Sequence, residues 1–291
     1  MILQKIKHTK HKKSAFIITA ILLIFTIITI MEAIIEPAGY IRPDYSKTDI
    51  STILENNTIS EENYKELFYQ TGLGKTAIDE ILKDKDSGIA KILKFQEIFF
   101  KENNISCESI GIITSQESIV NAEGKIMYGF NLAPYENGYV LITKATHSLG
   151  WRHGHAAIIT DAEKGETLEA VILGSDTILQ NINKWRTYPS FIMLKLKDTS
   201  SETLNEIANF AKNNLIDIPY GLTIGLTSNK NPDPKSIKST QCSHLAWYPF
   251  MQFGYDVDSD GSWLVTPKDI ANSDLFEVVQ IYGVDPNEIW P

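Results

Sequence analysis

The chain has 291 residues, enough for one large domain or two small ones. Its formal net charge is −9, from 27 basic and 36 acidic residues. Five of the lysines lie in residues 1–14, which contain no acid, so the remainder has 22 basic against 36 acidic residues, a net charge of −14. An acidic body argues against a nucleic-acid partner, because phosphate binding needs a basic face.

The basic start precedes residues 15–31, which are uncharged. As a helix these 17 residues would span about 25 Å, near the lower limit for crossing a bilayer. We predict a membrane anchor within residues 1–36, with the lysines cytoplasmic and residues 37–291 on the extracytoplasmic side. A cleaved signal peptide, and hence secretion, is the rival interpretation, but no small-x-small site follows the run. A buried helix of a soluble protein would show a polar face, and none interrupts the run.

Residues 37–106 are predicted to be a linker followed by a helical extension. Pro37, Gly39 and Pro43 are typical of a linker. Ser60 is suited to cap a first helix and Gly72 to end it. Nothing in this segment indicates a chemical role.

From about residue 107 the pattern changes to short segments rich in Ile, Val, Leu and Thr, which are typical of strands. The predicted strands are Ile110–Thr114, Tyr139–Thr143, His155–Thr160, Thr167–Leu173 and Ser190–Lys197. Ser200 or Ser201 is expected to cap a helix that runs to about Leu215. A polar loop, 226–239, then leads to a helix that begins at Cys242, and Thr266 caps a last short helix.

Cys242 is the candidate nucleophile. A thiol reacts as the thiolate, and the amides and dipole of a helix N-terminus, together with a nearby imidazole, lower the pKa of a thiol. The chain has two cysteines, Cys107 and Cys242. Outside the cell they could equally form a disulfide in a structural domain, which is the simplest competing interpretation.

His155 is the preferred base. It opens an apolar strand that would hold the ring rigidly. His153 lies before it in a glycine-flanked loop, where it would either support the catalytic residues from behind or contact substrate. A catalytic imidazole usually needs an orienting partner, and the next strand offers Glu169 among apolar residues. The ordinary alternative for such a histidine or glutamate is a satisfied or solvated side chain with no role in chemistry.

These residues lie in segments that resemble a known family. A "PY" turn followed by "CS" at a helix start resembles the NlpC-type cell-wall cysteine peptidases, in which the histidine strand follows the cysteine. Here it precedes the cysteine, and this order resembles the circularly permuted YiiX/YaeF-like amidases and the lecithin:retinol acyltransferase-like proteins. Tyr139 stands where that branch usually has aspartate. The matching segments, within about residues 137–282, are 138–142, 154–159, 168–170, 219–221, 242–243, 258–261 and 266–269.

The resemblance implies an α+β fold for residues 107–291: a circularly permuted papain-like (NlpC-like) domain with an antiparallel sheet packed on the nucleophile helix. It implies Cys242 as nucleophile, His155 as base and Glu169 as orienting residue. Tyr220 would lie near the oxyanion, and with His153 and Ser243 it forms the expected oxyanion and substrate-binding set.

The expected function is that of a membrane-anchored thiol hydrolase that cleaves an amide in cell-wall peptide. A lipid acyl hydrolase or acyltransferase is the alternative within enzymes, and a non-catalytic ligand-binding module is the alternative outside them. No cofactor is expected. Residues 256–261 have calcium-loop spacing at first, but Pro267 stands where the twelfth-position glutamate should be, and no His/Cys cluster has zinc spacing, so no metal site is predicted.

Overall fold

The structure is a computed structural model that describes residues 15–27, 30, 39–56, 58–111, 114–148 and 151–291. The described α-helices are α1 (residues 15–27), α2 (Ser51–Leu54), α3 (Glu61–Thr71), α4 (Lys75–Leu82), α5 (Gly88–Phe99), α6 (Ser201–Asn214), α7 (Cys242–Gln252) and α8 (Pro267–Ala271). The strands are β1 (Asn104–Ser109), β2 (Thr114–Val120), β3 (Val140–Thr143), β4 (Thr146–Ser148), β5 (His155–Asp161), β6 (Glu166–Glu169), β7 (Ile178–Asn181), β8 (Phe191–Leu196) and β9 (Phe276–Tyr282). Two 3₁₀ turns cover Ile182–Thr187 and Pro234–Ser236.

The main sheet has six strands in the order β7-β6-β5-β3-β8-β9, and every pair is antiparallel. β5 lies inside this sheet and is buried from His155 to Thr160, because α6 and α7 pack against it. This burial accounts for its nearly continuous apolar sequence. The fold is therefore a mixed α+β arrangement with antiparallel sheets, as predicted at that level.

A second sheet of three strands has the order β1-β2-β4. The predicted strand Ile110–Thr114 lies partly outside the described residues, which omit 112 and 113; Ile110 and Gly111 follow the end of β1, and Thr114 is the first residue of β2. The Ile110 N–H bonds to the Thr114 carbonyl over 2.9 Å, so the prediction of one strand across this segment is wrong. The apolar and β-branched residues there suggested one strand, but the antiparallel pairing of β1 with β2 requires one strand to end and the next to begin within this segment.

The helical extension packs on the edge of the main sheet. Ser60 caps α3 by accepting a bond from the Asn63 N–H, and Gly72 ends α3 at a φ of 70°, both as predicted. The Gly74 N–H then bonds to the Val279 carbonyl of β9 over 2.9 Å. Core residues of α2–α5 and of the sheet form one continuous apolar cluster.

Four further strands were predicted, and three of them lie close to their expected bounds as β3, β5 and β8. The predicted strand Thr167–Leu173 is wrong in its second half, because β6 ends at Glu169. Beyond it the chain leaves the sheet and residues 171–173 line a cavity. Ser200 caps α6, and Thr266 forms a complete capping box with Asp269 at α8.

The predicted membrane segment, residues 15–31, lies partly outside the described residues. Residues 15–27 and 30 are helical, and most of their side chains are exposed. Among the residues that the structure describes, no helix combines the length and apolar character needed to cross a membrane.

Candidate active site

His155 is placed by a sharp turn in the chain. Gly154 has a φ of +72°, and a Cβ there would lie 2.6 Å from the Thr143 carbonyl oxygen and 2.4 Å from the Trp290 ring. A side chain is excluded by both features, so this position requires glycine. The turn lets the chain enter β5 with the His155 ring directed toward the N-terminus of α7, where it bonds to Cys242.

Cys242 is the first residue of α7, after Gln241 as N-cap. Gln241 makes no side-chain capping bond, so its side chain does not occupy the first amides of the helix. The backbone N–H groups of Ser243 and Ala156 both donate to the Cys242 sulfur. Burial by itself raises the pKa of the thiol, but the hydrogen bond to His155 and these two amides outweigh burial, and the pKa is lowered.

Glu169 reaches His155 because of the register between β5 and β6. Ile159 pairs with Thr167 and Ile158 with Leu168, so continuing the register sets Glu169 opposite Ala157, on the same face as His155. The His155 Nε2–H donates to Glu169 Oε2 over 2.9 Å. The other ring nitrogen, Nδ1, then faces the cysteine. Cys242, His155 and Glu169 thus form one hydrogen-bonded chain.

Glu169 is fully buried, so its charge depends on internal donors. Thr167 Oγ1 and Trp185 Nε1 donate to Oε1 over 2.7 and 2.9 Å. Burial raises the pKa of this carboxyl, but the bond from His155 outweighs it and the pKa is lowered. The carboxylate is therefore ionised and held in one orientation.

The same contacts act on His155. Burial lowers the pKa of the imidazole, while the hydrogen bonds with Cys242 and Glu169 raise it to about 9. At neutral pH the arrangement favours an imidazolium beside a thiolate, flanked by a carboxylate.

Trp185 and Thr167 are functional neighbours that the sequence reasoning missed. The Trp185 ring stacks on His155 at 5.4 Å between centroids with 13° between planes, and its N–H holds Glu169. Trp185 lies in a 3₁₀ turn without motif character. Thr167 alone had a usable signal, since it stands two residues before Glu169 and therefore on the same face of β6.

His153 lies outside the hydrogen-bonded chain. Its Nδ1–H donates to the Gly154 carbonyl over 2.8 Å, and its Nε2 accepts from the Ser148 hydroxyl over 2.9 Å. Burial and the charge on His155 lower its pKa, so this ring is neutral. It lines the cavity beside Cys242, where substrate would lie.

Tyr220 lies beside the nucleophile. Gly221 N–H bonds to the Thr240 carbonyl over 2.8 Å, and Thr240 N–H bonds to the Pro219 carbonyl over 3.0 Å. These bonds hold Tyr220 next to the segment that leads into Cys242, and its side chain lines the cavity. Burial, and then the Cys242 charge, raise its pKa well above the ordinary value, so its hydroxyl keeps its proton.

Ser243 contributes through its backbone. Its hydroxyl donates to the Val265 carbonyl over 2.8 Å and ties the start of α7 to another segment that lines the cavity. Its backbone N–H faces the sulfur. The side chain of Gln241, a residue absent from the predicted site, also donates to the Val265 carbonyl, over 3.2 Å, and lines the cavity.

A cavity of about 490 Å³ opens over Cys242. Among the described residues, those that line it carry no Asp, Glu, Lys or Arg side chain. The apolar lining residues are Phe25, Trp151, Val171, Ile172, Leu173, Leu222, Leu264, Val265 and Pro267.

Both cysteines are free thiols, with Cys107 exposed on β1 and Cys242 buried in α7. The structure therefore lacks the disulfide of the competing interpretation.

Asp258, Asp260 and Asp269 bring carboxylate oxygens within 4.8 Å of one another. The Lys230 ammonium lies 2.7 Å from Asp258 and supplies a positive charge to this group.

Comparison with family models gives no match, and comparison with curated proteins gives none either. Among solved structures the chain is similar to one described as the metalloprotein yiiX from Escherichia coli O157:H7, DUF1105. The identity is 13%, the TM-score is 0.39, and the match covers 50% of this chain and 96% of that one. This is a weak structural neighbour from a papain-like fold family. The assignment of the site rests on its geometry.

Proposed function

We propose that the protein is a cysteine hydrolase that uses Cys242 as nucleophile, within a permuted papain-like, YiiX-like fold. The observation that carries the proposal is the buried chain of hydrogen bonds from Cys242 through His155 to Glu169. A buried carboxylate with three donors, next to an imidazole with a raised pKa and a thiol with a lowered one, is costly for a purely structural role.

In the first half of the reaction the Cys242 thiolate attacks the carbonyl carbon of an amide or ester. The bond between the sulfur and this carbon forms as the carbonyl π electrons move onto oxygen. The Tyr220 hydroxyl and the backbone amides at the start of α7 are the candidate donors to this oxyanion. His155 Nδ1–H then protonates the leaving group, whose bond to carbon breaks, and a thioester remains on Cys242.

In the second half His155, now neutral, takes a proton from water. The water oxygen attacks the thioester carbon, and the thiolate leaves. The acid product departs, and His155 regains its imidazolium form. Glu169 acts throughout as a positioning residue that keeps the proton on Nε2 and stabilises the charged ring. If an alcohol or amine replaces water, the same steps transfer the acyl group.

Two substrate classes are proposed. The sequence resemblance favours an amide of cell-wall peptide. The cavity favours the second class, a lipid acyl group, because its lining carries no charged side chain among the described residues and would leave the carboxylates of a wall peptide without counter-charge. Each methylene of an acyl chain that is buried against such a lining would contribute about 0.8 kcal/mol to the free energy of binding.

We also propose that the chain is a single-pass membrane protein with its hydrolase domain outside the cytoplasm. Five lysines before an uncharged run support this orientation. A protease added to intact cells should degrade residues 37–291. If these residues are protected in intact cells and are cut only after lysis, the proposed orientation is wrong.

The function is tested with three substrates on the purified full chain: a p-nitrophenyl octanoate ester, a p-nitrophenyl acetate ester and a muropeptide amide. Mass spectrometry after a rapid acid quench would locate an acyl group on Cys242, with Cys242→Ala as the blank and Cys107→Ser as the matched control. Octanoyl transfer to Cys242 supports the lipid class, and cleavage of the muropeptide supports the cell-wall class. If no substrate acylates Cys242 and its alkylation rate matches that of a simple thiol, the site is a binding module.

A further inference from the structure

Exposed apolar side chains lie at the opening of the cavity and on the loops next to it. We call this set the rim; it consists of Trp151, Leu173, Leu222, Leu226 and Trp263. Their exposed fractions are 46%, 58%, 51%, 52% and 75% in that order. Large apolar side chains exposed singly are common, but a contiguous group around a cavity marks an interaction surface.

The rim residues come from loops that contact one another. Trp151, Leu173 and Leu222 line the cavity itself. The Tyr220 N–H bonds to the Ser175 carbonyl over 3.0 Å, which joins the loop of Leu173 to that of Leu222. Trp151, Leu173 and Leu222 therefore belong to one surface at the cavity.

The other two rim residues, Leu226 and Trp263, lie on loops next to this surface. A Cβ on Gly225 would lie 1.8 Å from the Trp263 carbonyl oxygen, so the turn that carries Leu226 packs directly on the loop that carries Trp263. The next residue, Leu264, lines the cavity. Trp263 is therefore adjacent to a residue of the cavity lining, and Leu226 lies on the turn packed against its loop.

Two neighbouring features indicate what covers the rim. Phe25, on the uncharged helix α1, lines the same cavity, so the apolar N-terminal run and the mouth lie together. Exposed Lys235 and Lys238 follow in the loop after Leu226, and Ser239, next to Lys238, contacts Gly221. Lysines beside an apolar surface, on a body that is otherwise acidic, match a layer with anionic headgroups and an apolar interior.

We propose that the rim docks on a lipid bilayer, with the cavity mouth opening onto the membrane. Tryptophan and leucine side chains enter the interfacial layer, and the lysines contact anionic headgroups. The docking requires no catalytic step, so it stands or fails separately from the hydrolase proposal.

The positions of the tryptophans allow a direct test. The chain has five tryptophans; Trp185, Trp247 and Trp290 are buried, and the other two, Trp151 and Trp263, belong to the rim. Residues 1–47 contain no tryptophan. Bromine on lipid acyl chains quenches tryptophan fluorescence at short range, so membrane association through the N-terminal run alone leaves the signal unchanged.

The full chain is reconstituted in phosphatidylcholine–phosphatidylglycerol vesicles with either brominated or ordinary acyl chains, and vesicle-bound protein is recovered by flotation. We expect brominated lipid to remove up to about two fifths of the fluorescence, the share of two emitters among five. The double variant Trp151→Phe, Trp263→Phe should lose this quenching. Trp290→Phe, which changes a buried ring, should keep it, as should Cys242→Ala.

Three results would overturn the proposal: wild-type protein that is not quenched, a double variant quenched as strongly as wild type, or no protein in the vesicle fraction. Unquenched tryptophans together with a concentration-dependent dimer would assign the rim to a second copy of the chain. The Cys242→Ala variant should still be quenched although it can no longer be acylated. If wild-type protein is quenched but none of the substrates acylates Cys242, the hydrolase proposal is contradicted and the docking proposal is not.

Discussion

His155 Nε2 and Glu169 Oε2 lie 2.9 Å apart, and the carboxylate is fully buried. Thr167 and Trp185 donate to its other oxygen. This pairing determines which nitrogen of His155 carries the proton, because a carboxylate accepts hydrogen bonds and Nε2 must therefore donate. Nδ1 is left as the nitrogen that exchanges a proton with Cys242.

Glu169→Gln should lower turnover by about a hundredfold or more with little effect on folding. The glutamine carbonyl can still accept from Thr167 and Trp185, but its amide would then donate to Nε2 of His155. The ring proton would be forced onto Nδ1, the side that must accept the thiol proton. Steady-state kinetics and a melting curve test this, with Glu163→Gln on an exposed turn as control. Near wild-type turnover would remove Glu169 from the mechanism.

His155→Ala should slow alkylation of Cys242 near neutral pH by about a hundredfold, since the thiolate loses its imidazolium partner. His153→Ala should have a much smaller effect, because that ring bonds to Ser148 and the Gly154 carbonyl. Iodoacetamide kinetics in a Cys107→Ser background measure Cys242 alone. The opposite ranking of the two variants would transfer the role to His153.

The pH profile of kcat/KM should show an alkaline limb that is set by the titration of His155. Its pKa is raised to about 9, so the imidazolium persists at neutral pH and is lost as pH rises through about 9. Above that pH, kcat/KM for an alkyl amide should fall about tenfold per unit, because the leaving group is no longer protonated. Alkylation of Cys242 needs no acid and should not fall. A parallel fall in both rates would contradict this assignment, because rising pH cannot protonate the thiolate and the shared cause would have to be loss of the folded site.

Thr167→Val removes one donor to Glu169 while preserving shape. We expect a loss of about 1 kcal/mol in the free energy of unfolding and roughly a three- to tenfold loss of kcat, with a lower pH for the alkaline limb. Thr160→Val is the matched control, because Thr160 Oγ1 is buried without a hydrogen-bond partner among the described residues. Urea unfolding and pH–rate profiles compare the two. Equal profiles would show that Trp185 alone is sufficient to hold the carboxylate.

Val171→Asp places a charge in the cavity wall. If the acyl group is apolar, KM for an octanoyl ester should rise about tenfold while that for an acetyl ester changes little, because the acetyl group does not reach the wall. Leu179→Asp, on exposed β7, serves as the control. A larger effect on the acetyl ester than on the octanoyl ester would argue against an apolar acyl site.

Local patterns were sufficient to predict much of this molecule. Several features depend only on residues within a few positions of one another. They are the helix that begins at Cys242, the strand that begins at His155, the helix cap at Ser60 and the end of that helix at Gly72 in the left-handed conformation. The prediction of one strand over Ile110–Thr114 failed because a short apolar run does not show where one strand ends and the next begins.

What the sequence determined by itself is therefore the set of candidate groups: a cysteine at a helix start, a histidine at a strand start and an acid on an apolar strand. Only the tertiary structure decided how they are joined. The β5–β6 register aligns Glu169 with His155, and Trp185 arrives from a turn that no periodicity marks. The apolar cavity is built from separate loops, and contacts between distant segments depend on packing that local spacing does not encode.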